Sequence, residues 1–434
     1  MYSKNIFHFI IEIFFIRIFF VNSQRKIKSP KRDMIKRNIL LIILFLSLTM
    51  QSGNKAYASK NDSVCLSLIT CAPGNAIWSL FGHTAIRYKD PSRGIDVVFN
   101  YGVFDFNKPH FIWRFILGQT DYQMGADDYN HFINSYAFFN RSVWQQTLNL
   151  TPTEKEKLIN LLEINYQPQN RYYRYNFFYD NCATRPRNVI EECINGRVFY
   201  NTNIQDVANA SKSYRDIVHQ FTKGHPWARF GIDLCLGNEA DLPINYRSMM
   251  FAPYYLRDFF AQAKIDNGKV ERPLTNQNRQ LLNADSKINK SWQYPTPLQS
   301  ALLLFVLTII SCIISLKRKR TLWAVDIVLF GSAGITGCIL AFLVLFSEHP
   351  TVGSNYLLFI FHPGHLLFLP YIIYCARKKK KSIYHLLNAI DLTLFIVFLH
   401  FIPQKIDLAV IPLALCLLIR SLSNLILTYK KQNE

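Results

Sequence analysis

Apolar and polar residues follow three rhythms along the 434 residues. Residues 64–70, 82–88, 95–102 and 141–150 read as strands, with two-residue alternation clearest in the second and fourth. Ala72-Pro73-Gly74-Asn75 and residues 89–94 carry turn chemistry, so the second and third strands form an antiparallel hairpin. If Tyr88 lies opposite Ile95, His83 lies opposite Asn100. Residues 105–139, dense in aromatics and Asp, read as a helical or looped insertion that either walls a hydrophobic pocket or is plain core. Thr151-Pro152-Thr153-Glu154 opens a helix, with Pro at its first position and a capping-box acid. An aromatic, extended run from Tyr175 stops at Asp180-Asn181, an N-cap pair, and a helix with Cys182 in its first turn continues to about Glu192. A further helix is expected at 211–221, a docking segment at 248–256, and a polar linker at 266–291. From residue 298 the third rhythm takes over. Five apolar segments (298–316, 322–346, 354–375, 386–402 and 408–428) approach the ~20 residues a helix needs to cross a bilayer.

These patterns predict an α+β exported domain over 59–290 and an all-α transmembrane bundle over 297–428. The net charge of +20 suggests a nucleic-acid partner until its location is considered. Lys317-Arg318-Lys319-Arg320, Arg377 to Lys381 and Lys430-Lys431 abut apolar runs, the positive-inside pattern, so the charge reports topology and no nucleic acid is implied. The linker and the loops 347–353 and 403–407 then lie outside the cytoplasm. Residues 34–58 read as a signal peptide ending at Ala56-Tyr57-Ala58. Residues 1–33 read as an over-extended start or an extra anchor, with the start favoured.

Five of the nine cysteines fall in the exported part (Cys65, Cys71, Cys182, Cys193 and Cys235), an odd number where disulfides are permitted. No CxxC spacing or His cluster suggests a metal. A cysteine at a helix start is biased toward thiolate by the unpaired N–H groups there, and His83, preceded by Gly82, is the best placed base. Asn100 is the orienting residue on the register above, with Asp96 and Asp105 as alternatives. The bland alternative pairs Cys182 in a disulfide, with Cys193 the available partner. In the bundle, Asp326 and Asp391 near helix ends are the charges noted, which argues against a transporter. Five helices beside an aromatic-rich pocket suggest a substrate held in the bilayer.

His before Cys, on a strand and a helix start respectively, resembles the circularly permuted papain-like (NlpC/P60-type) superfamily, which includes the lecithin:retinol acyltransferase group. More closely, Phe81 to Arg87, Val98 to Gly102, Tyr179 to Arg185 and Glu348-His349-Pro350 look like the Lnb-type bacterial lipoprotein N-acyltransferases. That resemblance implies acyl transfer from a phospholipid, through a Cys182 thioester, to the N-terminal amine of a diacylglyceryl-cysteine lipoprotein. His83 would be the base and Asn100 its orienter. Asn181, Arg185, Arg187, Glu348 and His349 would contact substrate. No cofactor is implied, and the protein is expected in the bacterial inner membrane with its catalytic domain periplasmic. The same fold also serves envelope cysteine peptidases acting on cell-wall peptides, which is the rival reading.

Overall fold

The computed structural model describes residues 63–105, 107–201, 212–284 and 294–429. The described residues fall in two compact units, one drawn from residues 64–105 and 116–429, the other including 107–115. Within the smaller unit, the described residues include most of a short helix, α1 (Phe111–Ile116). The expected signal peptide at 34–58 and residues 1–33 lie outside the described residues.

The larger unit is mixed α/β, followed by membrane helices. Its sheet has seven strands in the order β10-β5-β1-β2-β3-β4-β6, all neighbours antiparallel. These are β1 (Cys65–Cys71), β2 (His83–Asp90), β3 (Ile95–Val103), β4 (Asp121–Asp128), β5 (Val143–Leu148), β6 (Tyr172–Arg174) and β10 (Thr275–Leu282). β1 is central and buried almost throughout, as its run of Leu66, Leu68 and Ile69 requires. Ile69, Ala85, Val98 and Val143 pack under α2 (Tyr129–Phe138), which contributes Phe132.

Three expectations are corrected here. The β2–β3 register is displaced by two residues: Asp90 lies opposite Ile95 and Ala85 opposite Asn100. β2 runs on to Asp90, whose carboxylate accepts from Ser92 N–H to close a single tight turn at Pro91–Arg93 before the left-handed Gly94. The insertion at 105–139 contains a full strand, β4, paired to both β3 and β6. Much of the expected linker is sheet instead, since β10 pairs with β5 and β8 (Lys264–Asp266) with β9 (Glu271–Pro273).

The helix α3 (Pro152–Tyr166) carries the full capping box of Thr151 and Glu154. It precedes α4 (Thr184–Cys193), then α5 (Tyr214–Phe221), α6 (Pro226–Cys235) and α7 (Pro253–Gln262). In the membrane part, three helices are long and apolar enough to span a bilayer: α8 (Pro297–Lys317), α9 (Trp323–Phe346) and α12 (Val410–Tyr429). A fourth span is possible where Tyr356–Leu367 meets α10 (Leu369–Lys378) at a 66° bend, and α11 (Ile383–Val397) is a shorter apolar helix. The third and fourth expected segments are therefore a broken pair and a short helix rather than straight spans, while the fifth is the straight α12.

Arg420, in the middle of α12, was missed in the sequence reading. Arg420 and Asp326 are both fully buried, with Arg420 Nε donating to Asp326 Oδ1 at 2.5 Å. This charge midway along a helix removes the argument against transport that rested on the absence of such residues. Arg420 also donates to Ser315 Oγ and the Leu322 carbonyl, and Asn424 to the second Asp326 oxygen. A buried charge among membrane helices is tolerated where its partner and hydrogen bonds are supplied by neighbouring helices, here at the ends of α8 and α9.

The outward loops of the bundle hold the exported domain. Gly237 N–H donates to Thr351 O at 2.7 Å, Asn355 Nδ2 to Leu234 O, and Lys405 Nζ to Asp216. Loops 347–355 and 403–407 thus face the exported side, as positive-inside topology requires.

Candidate active site

The site is built where β2, β3 and the start of α4 meet. Asn181 fixes the helix start: its Oδ1 accepts from the Ala183 and Thr184 N–H groups at 2.8 and 2.9 Å. Its Nδ2 donates to Phe177 O and Phe251 O. With every polar atom committed and the side chain buried, Asn181 positions the neighbouring Cys182 rather than meeting solvent. Cys182 lies two residues before Thr184, the first helical residue, and so precedes the helix rather than standing in its first turn.

Cys182 packs against β3 at Gly102. That residue is left-handed (φ +89), and a Cβ there would come within 3.6 Å of the Cys182 Cβ and 3.5 Å of the Tyr175 ring. Glycine gives the conformation, since at those distances a Cβ would make only ordinary contact. Tyr175 in turn stacks on Tyr122 of β4 with ring centroids 4.2 Å apart, so part of the aromatic stretch after residue 105 does stand beside the thiol.

His83 opens β2. Its Nε2 lies 3.0 Å from Asn100 Oδ1, and Asn100 Nδ2 donates to Val98 O. An amide oxygen only accepts, so His83 Nε2 carries the proton and Nδ1 keeps its lone pair. The two are diagonal neighbours across the hairpin, a separation that long side chains bridge. Asp96, an alternative orienter, is taken by Arg87 through two hydrogen bonds of 2.7 and 2.6 Å.

Electrostatics set the resting state. Burial pushes the Cys182 thiol up to about 11, while the N–H groups of Thr84 and of Cys182 itself pull it down less strongly. Burial lowers His83 to about 4, the Asn100 hydrogen bond opposing and the Arg141 charge adding to the shift. The pair therefore rests as neutral thiol and neutral imidazole, contrary to the thiolate expected from a helix start. Both retain some exposed surface, so the crevice is open to a substrate.

The remaining expected site residues divide by surroundings. Arg185 grips Asp180 with Nε and Nη2 at 2.6 and 2.7 Å and lies over the Tyr173 ring. Arg187 is buried and donates to Asn188 and to the Arg247 carbonyl. Glu348 accepts from Gln119 Nε2 and Arg174 Nη1, and its backbone N–H donates to Leu117 O. His349 N–H donates to Ser347 Oγ. This loop docks the bundle onto residues 116–119.

Sequence reasoning missed Thr84, Cys71 and Arg141. Cys71 is the register partner of His83, is fully buried, and is raised to about 12. Arg141 Nε donates to Ala72 O, and its guanidinium lies over the Tyr136 ring. The one sequence signal for it is Asn140, held left-handed (φ 50) at the end of α2. All nine cysteines are free, so the disulfide alternative for Cys182 is overturned. Among the described residues no group of three His, Cys, Asp or Glu could hold a metal ion.

Two family models match: the Lnb N-terminal periplasmic domain over residues 54–219 and the Lnb transmembrane domain over 288–432. The chain belongs to the Lnb family. Lnb chains pair a periplasmic domain with a membrane domain, and this one is accordingly a lipoprotein N-acyltransferase-type membrane protein with a periplasmic portion. No curated protein and no solved structure matches it.

Proposed function

We propose that this Lnb chain moves an acyl chain from a phospholipid to the α-amine of a diacylglyceryl-cysteine lipoprotein, with Cys182 as nucleophile. The observation that carries the reading is the His83–Asn100 hydrogen bond, which leaves Nδ1 its lone pair on the residue next to Thr84, whose N–H donates to the Cys182 thiol. Cys182 Sγ attacks the ester carbonyl as His83 Nδ1 takes the thiol proton. The imidazolium then protonates the departing alcohol, leaving a thioester on Cys182. The lipoprotein amine attacks that thioester, loses a proton to His83, and the proton returns to the released Sγ. The Thr84 and Cys182 N–H groups supply the oxyanion donors. A neutral resting pair suits a site that must exclude water so that amine, not water, takes the acyl group.

Arg185, partly exposed, is the residue assigned to lipid phosphate, exchanging Asp180 for it. Asn181 and Arg187 hold the nucleophile's helix, and Glu348 with His349 forms the loop that keeps the bundle against the site. The His-strand-before-Cys-helix order supports a permuted papain-like fold.

The test is intact-mass analysis of the membrane-purified protein after incubation with phospholipid. A hydroxylamine-labile acyl adduct is expected on the wild type and on neither Cys182→Ser nor His83→Ala. No adduct on a protein whose Cys182 alkylates at high pH would turn the assignment to a cysteine peptidase.

A further inference from the structure

We propose that the cytoplasmic end of the membrane domain holds a site for the phosphate of an anionic lipid headgroup, one bilayer away from Cys182. A cavity of about 250 Å³ opens there among the ends of α8, α9, α10 and α12, and four cations line it: Lys319, Arg320, Arg377 and Lys379. No acid shares the lining. Among the described residues, no acid forms an ion pair with Lys319, Arg320 or Arg377. The C-termini of α8, α10 and α12 meet at this end, and each carries about half a negative charge, too little to neutralise Lys319, Arg320 and Arg377. Positive charge is left over around a space large enough for a phosphodiester.

Two further observations favour a ligand over ordinary positive-inside charge. Lys319 and Lys379 sit just past helix ends in left-handed backbone (φ 46 and 53), a conformation that usually falls to glycine or asparagine. Cations are kept at two places where a glycine would be easier. Arg377 lies 6.0 Å from the Trp323 ring, which closes one side of the cavity and is partly exposed. Phosphate binding and an indole at the polar–apolar boundary are the ordinary components of headgroup recognition.

The source of the phosphate follows from position. α8 leaves the exported domain at Pro297 and reaches the cavity after 21 residues, about the thickness of the hydrocarbon core. α9 starts at the cavity and returns to Ser347, whose Oγ donates to Ile116 O of the exported domain. The cavity therefore opens at the inner-leaflet interface, where Leu427 and Trp323 border it with apolar surface suited to acyl chains and unsuited to a free phosphate ion. A lipid seated there would tie four helix ends together without entering the acyl-transfer reaction.

The experiment uses the full chain in nanodiscs of phosphatidylcholine, with or without phosphatidylglycerol, followed by native mass spectrometry of retained lipid. Wild type is expected to retain phosphatidylglycerol selectively. Arg320→Ala and Arg377→Ala, each alone, should lower that retention several-fold, whereas Arg318→Ala, the same charge change outside the lining, should leave it nearly unchanged. Equal retention of both lipids, or an equal loss in Arg318→Ala, would overturn the site. So would a thermal stabilisation by inorganic phosphate in phosphatidylcholine that matches that of phosphatidylglycerol, since the lipid would then be unnecessary. If neither variant folds, Lys319→Ala carries the same comparison.

Discussion

His83 and Asn100 are hydrogen-bonded at 3.0 Å although they are not register partners: Ala85, not His83, faces Asn100 across the hairpin. The contact depends on two side chains reaching diagonally, so it is sensitive to what stands at position 100. With His83 near 4 and Cys182 near 11, neither group titrates between about pH 5 and 10. Thioester formation should therefore be flat with pH across that window and fall as His83 protonates below it. In Asn100→Asp the carboxylate favours imidazolium, so the acid limb should move to higher pH. Single-turnover acylation against pH measures this, and an unmoved limb would show that position 100 does not control the base. Stability follows the same linkage. The unfolded imidazole titrates near 6.5, so between 6.5 and 4 the unfolded chain binds more protons, and His83 makes the fold less stable as pH falls through that range.

Asn181→Ala removes the acceptor of two helix-start N–H groups and the donor to two buried carbonyls. A loss of about 2 kcal/mol or more in stability is expected, read by thermal melting. Acylation should fall as well, because Cys182 is the residue that this side chain places. Full acylation in Asn181→Ala would mean that the helix start does not position the nucleophile.

Gly118 is left-handed (φ +73), and a Cβ on it would sit 2.8 Å from the His349 backbone nitrogen. Gly118→Ala should displace the Glu348 loop and slow acyl transfer several-fold while Cys182 still alkylates at the wild-type rate at high pH. An unchanged transfer rate would separate the docking loop from catalysis.

Asp326→Leu or Arg420→Leu alone leaves a buried, unpaired charge and should cost about 3–5 kcal/mol. The double variant should melt closer to wild type than either single variant. Melting in detergent decides it, and additive losses would show that the two charges do not act as a pair.

The parts of the fold that were legible in the sequence are those whose signals are local. The capping box at Thr151 and the Gly94 turn are specified within a few neighbouring residues, and Asn181, Cys182 and His83 were found because a cap and a Gly-His step are local too. The register slipped by two because Lys89 and Asp90 look like turn residues, while Asp90 is both the last strand residue and the turn's cap. β4 and β10 were missed for a different reason. Asp121–Asp128 alternates only as far as Met124 before Gly125 and two acids break the pattern, and Thr275–Leu282 is polar with mostly exposed side chains. They are strands because β3, β6 and β5 offer them ladders, information that lies elsewhere in the chain. The same holds for Arg420, whose partner Asp326 is on another helix. The charge state of Cys182 was misjudged since a helix start is visible in sequence and the depth of the crevice around it is not.

The neutral resting thiol also bears on how the protein survives where it works. Peroxide and other electrophiles attack thiolates, and oxidation to sulfenic acid scales with thiolate character. A thiol held near 11 presents very little thiolate to the oxidants around it, and on the proposed mechanism it becomes reactive only when an ester is in place and His83 can take its proton. The crevice that costs Cys182 its intrinsic reactivity thus protects it from chemical ageing.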